Sequence, residues 1–584
     1  MSTDVSIIRR KPTAQAHKLH ENQLINRLLN MRGVESASEL DFALADLPTP
    51  ETLLGIDAAV DRLLRARVEQ QKILIVGDYD CDGATSTTLA VMALRAMGCE
   101  QVDFLVPNRF EYGYGLSPAI VDVAAKNRPD LIVTVDNGVA SVDGVEHAKA
   151  LSIDVVVTDH HLPPPVLPRA VAVVNPNIPG ATFPSGNLAG VGVCFYVLLA
   201  LRAALAKEGI AGAQVKLADY LDLVAIGTVA DVVALDRVNR ILVEQGLRRI
   251  RKGYTRPGVK AILSRAGRVA ERITASDIGF AIGPRLNAAG RLDDMTRGIH
   301  CLLTDDDAEA LTLATELDTL NQQRRAIERK MRDEAEAILA DDAVLGDNTH
   351  LSFGIVLFDE HWHQGVIGIV AGRLKDQLNR PVAIFAADDE KLLKGSCRSI
   401  LGVHIRDVLD AVATQNPDLI DKFGGHAMAA GLTLKRAQFS EFAEAFNKEI
   451  KRVLNSELPK LNFLSDGSLV DSERTLASAQ LIDNVCPWGQ EFSAPVFDDF
   501  FIVEDTRVVG VGHLKLRLRS VGDADASDYA SDYASDYGKV FDAIAFNQPD
   551  TVPTGDTVHV VYALSVNHYR GSQSLQLMVR HIQL

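Results

Sequence analysis

Cysteine is scarce and scattered. The six thiols, Cys81, Cys99, Cys194, Cys301, Cys397 and Cys486, stand singly with no CxxC pair, which argues against a disulfide framework or a structural zinc site and leaves reduced thiols as the expectation. No uninterrupted apolar run reaches about 18 residues, and the opening MSTDVSIIRRKPTAQ lacks the apolar core of a signal peptide, so a cytoplasmic protein with no membrane partner is expected. Positive charge is in deficit too. The formal net charge of −17 counts against nucleic acid as a partner, because phosphate contacts usually come from a basic surface. That objection is not decisive, since acids that ligate cations are neutralised in use and arginines can gather in one groove. What is present is a chain of 584 residues, 47% apolar and 23% charged. Those are the proportions of folded protein, and the length implies roughly three to five domains.

Between residues 72 and 174, short β-branched runs (KILIV, VDFLV, DLIVTV, DVVVT, AVAVV) alternate with helical patterns, which predicts an α/β domain with a parallel sheet. Helical patterns continue over about 191–250. Residues 305–339 carry apolar positions at helical spacing without Gly or Pro, predicting one long connecting helix or a closely paired set. A second α/β pattern follows, with FGIVLF and PVAIF as strands and VIGIVAGRLKDQL and 439–453 as helices. After about residue 460 the runs FFIVED, HLKLRLRS, VFDAIAF, TVHVVYALSV and SLQLMVRHIQL predict a small antiparallel barrel. Within it ASDY occurs three times in succession, at 526–537, a low-complexity insertion placed in an exposed hairpin loop. The expected division is a lead-in over 1–55, a first α/β domain over 56–304, the connecting helix over 305–342, a second α/β domain over 343–458 and the barrel over 459–584.

The segment KILIVGDYDCDGATSTT runs a buried strand directly into Asp78, Asp80 and Asp82 and then into a helix. Carboxylates this close repel one another and are costly to desolvate unless a cation offsets them. Gly77 and Gly83 are read as permitting tight turns that let the acids converge. An Asp-rich turn capping a helix would account for one acid or two, not three. An EF-hand is a poorer reading, because the closing Glu is missing. Two further strand runs end in the same way, one in Asp136-Asn137-Gly138 and one in Asp159-His160-His161. In an open parallel sheet, ligands bind beyond the carboxyl ends of the strands, so these acids should share one crevice. Asp231 breaks the apolar run DLVAIGTVADVVAL; capping or a salt bridge is possible there, and ligation fits its cost better. Several Asp with one or two imidazoles suit Mn²⁺ or Mg²⁺. Two such ions roughly 4 Å apart can clamp a phosphodiester and activate water, with a histidine beside them to position the phosphate or move a proton.

GDYDCDG, DNG, DHH and the Asp of TVAD resemble, in order and spacing, the four motifs of the DHH phosphoesterase superfamily. The resemblance implies Asp80, Asp82, Asp136, His160 and Asp231 as metal ligands, Asp78 and Asp159 beside them in the catalytic centre, and His161 on the scissile phosphate. FGGHAMAAG (423–431) resembles the signature of the DHHA1 domain. There Gly424, Gly425 and Gly431 would let backbone approach a phosphate chain and His426 would donate to it; a glycine turn without a ligand is the plain alternative. Four further features, the long helix, IGPRLNAAGRL (282–292), GSCRS (395–399) and NRFEYGYG (108–115), resemble the RecJ exonuclease branch, and PWGQEFSAPVF (487–497) resembles the opening of its oligonucleotide-binding (OB-fold) barrel. On that resemblance Arg109, Arg285, Asn287, Arg291, Ser396 and Arg398 would contact phosphate, with Ser396 and Arg398 near the 5′ end of a strand; surface ion pairing is the commoner fate of arginine. The branch implies 5′-to-3′ hydrolysis of single-stranded DNA to mononucleotides in recombination and repair. Its partners would be a single-stranded-DNA-binding protein and a RecQ-type helicase. The rivals are another DHH activity, on oligoribonucleotides or cyclic dinucleotides, and a non-catalytic DNA-binding scaffold. Cys81, at the variable place of the first motif, should point away from the metals, and the ASDY repeat has no counterpart in the branch.

Overall fold

The computed structural model describes residues 5–11, 16–108, 111–112, 114–345, 352–510, 512–521, 538–548, 552–569 and 571–584. Arg109 and the ASDY repeat lie outside the described residues. After a short strand, β1 (Val5–Arg9), the five β-branched runs form β2 (Ile73–Gly77), β3 (Val102–Leu105), β4 (Leu131–Val135), β5 (Asp154–Thr158) and β6 (Ala172–Val174). All pair in parallel, in the order β3-β2-β4-β5-β6. Every residue of β2 and β4 is buried, as strands covered by helices on both faces must be. The chain leaves β2 for β3 on one side and returns to β4 on the other, so the sheet's switch point, where such folds open a crevice, lies between β2 and β4.

The helical stretch resolves into the helices Gly190–Lys207, Leu221–Ala230 and Arg237–Arg251. Gly190–Lys207 is long and apolar enough to cross a bilayer, but 61% of it is buried inside the fold. It packs on the helices Ile56–Val68, Cys81–Ala96 and Leu221–Ala230, which is the setting of a core helix. The connecting segment is a single helix, Asp307–Leu345, of 39 residues.

Two compact units emerge from the packing. One comprises mainly residues 318–462, and the other holds most of 7–290 together with 463–584. In the first, β7 (Ile355–Phe358), β8 (Val382–Ala387), β9 (Leu392–Arg398), β10 (Lys422–Gly425) and β11 (Ala429–Lys435) form a sheet in the order β10-β11-β9-β8-β7. Only β7 and β8 run parallel in it. One core gathers Phe385, Phe442 and Phe446 and a second gathers Trp362, Val370 and Ile384, so both faces of β8 are covered.

The carboxyl-terminal region begins with β12 (Leu461–Ser465), which pairs with β1. A closed barrel follows, built from β13 (Phe497–Val509), β14 (His513–Ser520), β15 (Val540–Ala545), β16 (Thr557–Tyr569) and β17 (Ser572–Gln583) in the order β13-β14-β15-β17-β16. Along β14, Leu514, Leu516 and Leu518 are buried and alternate with His513, Lys515 and Arg517. The barrel departs from the expected antiparallel pattern at one seam, where β15 and β17 pair in parallel. The reason is geometric: a closed ring with an odd number of strands cannot alternate direction all the way round.

Candidate metal centre

Each acid of the first motif reaches the crevice by a different device. Asp78 follows β2. Asp80 caps the helix Cys81–Ala96, its Oδ1 accepting from Gly83 N at 3.0 Å. Asp82, fully buried in that helix's first turn, accepts from Gly190 N (2.6 Å) and Val191 N (3.0 Å). It therefore caps the distant helix Gly190–Lys207, whose own N-cap, Ala189, has no side-chain acceptor. The capping role and convergence on the crevice are thus compatible. Gly77 and Gly83 do not serve as turns, contrary to the expectation from sequence: Gly77 ends β2 and Gly83 lies within the helix. They permit close approach instead. A Cβ on Gly77 would lie 2.1 Å from Thr87 Oγ1, and one on Gly83 would lie 2.4 Å from the Asp78 carbonyl oxygen.

At the end of β4, Asp136 takes a left-handed φ of 62°. Asn137 Nδ2 then donates to the carbonyls of Val76 (3.1 Å) and Val135 (2.9 Å), tying β2 to β4. At the end of β5, the buried Asp159 carboxylate accepts from Val139 N (2.8 Å), His160 N (2.7 Å), His161 N (3.1 Å) and His161 Nδ1 (2.7 Å). With its oxygens so occupied, Asp159 holds His161 rather than a cation. Asn175 and Asn177 donate to the carbonyls of His161 and His160 at 2.9 and 2.6 Å. Asp231 ends the helix Leu221–Ala230 as its C-cap.

These elements bring their ligand atoms together. Three overlapping sets each lie within 4.8 Å: Asp78, Asp80 and Asp136; Asp82, His160 and Asp231; and Asp136, His160 and His161. His160 Nε2 stands 3.2 Å from Asp136 Oδ1 and 3.5 Å from Asp231 Oδ2. Burial and then the neighbouring Asp231 and Asp80 hold Asp82 well above the ordinary carboxyl range, and burial with Asp82, Asp80, Asp231 and Asp78 does the same to Asp136. Asp231 is pushed to about 7 by burial and Asp80. Burial also works to raise Asp159, yet the His161 and Val139 hydrogen bonds keep it below the ordinary range. His161 shows the converse: burial pulls it down, and the Asp159 hydrogen bond and charge carry it to about 9.

Carboxylates driven this far from their ionised form need a cation beside them or a proton on them. Asp136 Oδ1 is buried and accepts no hydrogen bond, as an oxygen shaped for a cation would be. Oxygen donors with one or two imidazoles fit a hard or borderline divalent ion. Cys81 is buried, its thiol held well above its ordinary value by that burial, and belongs to none of these sets.

Sequence reasoning missed three contributors. Gly190 and Gly227 admit the acids: a Cβ on Gly190 would lie 2.5 Å from Asp136 Cβ, and one on Gly227 would lie 2.6 Å from Asp82 Oδ1. Tyr114, within the NRFEYGYG segment, places its hydroxyl 3.2 Å from the His161 ring nitrogens. Only that segment's family signature could have drawn attention to it.

The candidate phosphate contacts separate into two groups. Asn287 Oδ1 accepts from Cys81 N at 2.7 Å, so its carbonyl braces the first motif. Arg285 is buried and donates to the Ala281 carbonyl at 2.8 Å. In the other unit, Arg291 donates to the Gly365 carbonyl at 3.3 Å. Ser396 and Arg398 share one face of β9, with Arg398 Nη1 donating to Ser396 Oγ at 3.1 Å. Both crowd the start of the helix Ile367–Leu378, since a Cβ on Gly368 would lie 2.9 Å from each. Register sets Ser396 opposite Gly431, and Gly431 opposite Gly424, so the GSCRS and FGGHAMAAG segments meet in one row. Gly425 has a φ of 142°, and a Cβ there would lie 2.5 Å from the Ala429 carbonyl oxygen. His426 N donates to that same carbonyl at 2.8 Å. An arginine and a serine hydroxyl at the start of a helix, beside a glycine floor, can bind a phosphate.

Three family models match the chain: the DHH family N-terminal domain over residues 72–228, the DHHA1 domain over 351–453 and the RecJ OB domain over 465–581. The single-stranded-DNA-specific exonucleases RecJ of Salmonella typhimurium and Escherichia coli are each 47% identical over 567 residues, 96% of this chain and 95% of theirs. The crystal structure of Thermus thermophilus RecJ in complex with Mn²⁺ aligns with a TM-score of 0.78 at 28% identity, covering 100% of this chain and 80% of that one. The Mg²⁺ complex of the same protein gives 0.74 at 26% identity, covering 100% and 79%.

Proposed function

The chain belongs to the RecJ family of single-stranded-DNA-specific exonucleases, and from that premise we propose that it hydrolyses single-stranded DNA from the 5′ end to mononucleotides, in recombination and repair. The observation that carries the reading is the meeting of Asp78, Asp80, Asp82, Asp136, His160 and Asp231 from separate stretches of chain, with ligand atoms within 4.8 Å in overlapping sets. Asp80, Asp82, Asp136, His160 and Asp231 would hold two Mn²⁺ or Mg²⁺ ions, with Asp78 beside them. Bound there, the ions would offset the charge of the acids, polarise the phosphodiester and lower the pKa of a water so that hydroxide is available to attack.

The remaining work falls to the protein's own groups. The Gly190 and Val191 amides fix Asp82 in place before any ligand arrives. Asp159 takes the Nδ1 proton of His161 in a hydrogen bond, which leaves Nε2–H to donate to a non-bridging phosphate oxygen. The Asp159 hydrogen bond and charge raise that imidazole, to about 9 in the metal-free protein, and its Nε2–H can stabilise charge that develops on the phosphate. Ser396, Arg398 and the Gly424-Gly425-His426 turn would receive the 5′ phosphate, with Arg285, Asn287, Arg291 and Arg109 supporting the strand. The barrel would hold the strand further along.

The domain limits follow the same reading: 56–304 as the cutting domain, 305–342 as the connecting helix, 343–458 as the DHHA1 domain and 459–584 as the barrel, with the three matched regions inside them. A cytoplasmic setting, with a single-stranded-DNA-binding protein and a RecQ-type helicase as partners, belongs to the proposal as well.

The test is digestion of 5′-labelled and 3′-labelled single strands with Mn²⁺ or Mg²⁺ by the natural protein and by Asp136→Ala. Release of labelled mononucleotide should appear first from the 5′ label and vanish with chelator. The variant should be slower by more than about a hundredfold. A variant within about tenfold of the natural rate would remove Asp136 from the metal centre.

A further inference from the structure

Tyr114 sits between two groups of the centre and belongs to neither motif that supplies them. Its hydroxyl lies 3.2 Å from the Asp136 carbonyl oxygen, to which it donates, and 3.2 Å from the ring nitrogens of His161. Its ring meets His161 edge-on at 5.6 Å and Tyr79 edge-on at 6.2 Å. Yet the residue keeps 47% of its surface open to solvent. A tyrosine kept only for packing would turn its ring inward and its hydroxyl to water. Here the hydroxyl is anchored beside the acids and the apolar ring is left in the open.

Building on the function proposed above, we infer that Tyr114 is a positioning residue with two roles. Its hydroxyl fixes the His161 ring against the phosphate, and its exposed ring supplies a stacking surface for the nucleoside next to the scissile bond. His161 is clamped at Nδ1 by Asp159 at 2.7 Å, a contact about which an imidazole can rock. The Tyr114 oxygen, 3.2 Å from both ring nitrogens, packs against the ring and limits that rocking while leaving Nε2–H for the phosphate. Stacking on an aromatic ring is tolerant of base identity, because every base has a π-face. It therefore suits an enzyme that must accept each nucleotide in turn.

The test separates the hydroxyl from the ring. Tyr114→Phe keeps the ring, so KM for a single strand, and the Kd of an oligothymidylate measured by fluorescence anisotropy without turnover, should stay within about twofold, while kcat falls roughly tenfold or more. Tyr114→Leu removes both, and KM and Kd should rise by roughly a further tenfold. In a His161→Ala background, Tyr114→Phe should change kcat by less than about twofold, because its effect runs through the missing ring. Calorimetric Mn²⁺ affinity should be unchanged in both Tyr114 variants.

A natural kcat in Tyr114→Phe would overturn the positioning role, as would a lowered Mn²⁺ affinity, which would route the effect through Asp136. Equal Kd values for the Phe and Leu variants would overturn the stacking role. If the natural protein itself left single strands intact in the same assay, the exonuclease reading would fall first and this inference with it.

Discussion

Asp159 and His161 show how much one buried pair settles. The carboxylate is held below its ordinary range and the imidazole at about 9. The raised imidazole contributes stability that is fully present below its ordinary 6.5 and lost as pH rises through about 9; the lowered acid contributes stability present above its ordinary 3.8 and lost below it. In metal-free Asp159→Asn, the His161 titration followed by NMR should drop from about 9 toward 6.5, and an unmoved midpoint would mean that some other group holds the ring. Val232 offers a different residue-level test. A β-branched side chain, 62% exposed, sits there at a φ of 63°, one position past Asp231. That conformation costs an L-residue roughly 1–2 kcal/mol, and Asn tolerates it better. Val232→Asn should stabilise the metal-free protein by about 1 kcal/mol in chemical denaturation. The convergence of the acids was legible in the sequence because residues at the carboxyl ends of neighbouring parallel strands face one crevice. Tyr114 and Gly190 were not legible, since their roles depend on groups brought close only by folding.

At the scale of elements, the strands of the first sheet follow directly from their β-branched runs, and the long connector follows from its helical spacing. The parallel seam between β15 and β17 was hidden, because direction around a ring depends on strand number, not on any one strand's residues. The glycines of the first motif were misread for a related reason: a glycine says that backbone is special, without saying whether conformation or proximity is at stake. The short strand β1 makes a further prediction. Arg9 pairs with Asp498 at 2.8 Å, and His559 Nε2 lies 2.8 Å from the same carboxylate. Burial opposes ionisation of Asp498, and the His559, Arg9 and Ser465 hydrogen bonds carry it down to about 2. Stability from this group is present above about 4 and lost as pH falls through about 2. Arg9→Ala, whose partner is buried but which is itself half exposed, should cost about 1 kcal/mol at neutral pH. It should also raise the midpoint of acid unfolding. Identical acid unfolding of the two proteins would leave β1 without this anchor.

For the whole molecule, the charge of −17 seemed to speak against a nucleic-acid substrate. The folded chain shows what a net charge leaves out: five of the 77 acids, Asp78, Asp80, Asp82, Asp136 and Asp231, gather in one crevice where cations would offset them. The barrel meanwhile carries a cavity of about 390 Å³ lined by Arg474, Thr475, Arg517, Lys539 and Phe541, among others. Lys539 lies 5.7 Å from the Phe541 ring. If this surface holds the strand, the double variant Arg517→Ala/Lys539→Ala should flatten the slope of log affinity against log salt by about 1.4 for single-stranded DNA. Its rate at saturating substrate should be unchanged, and an unaltered slope would move the grip elsewhere. The order of domains was readable from composition and motif, whereas the concentration of each charge in its own place was not, because a sum carries no positions.

The most direct measurement is anomalous diffraction at the manganese edge from crystals of this protein soaked in Mn²⁺. Two peaks are predicted, one among Asp78, Asp80 and Asp136 and one among Asp82, His160 and Asp231. Peaks elsewhere, or none at saturating Mn²⁺, would contradict a two-ion centre built on these residues.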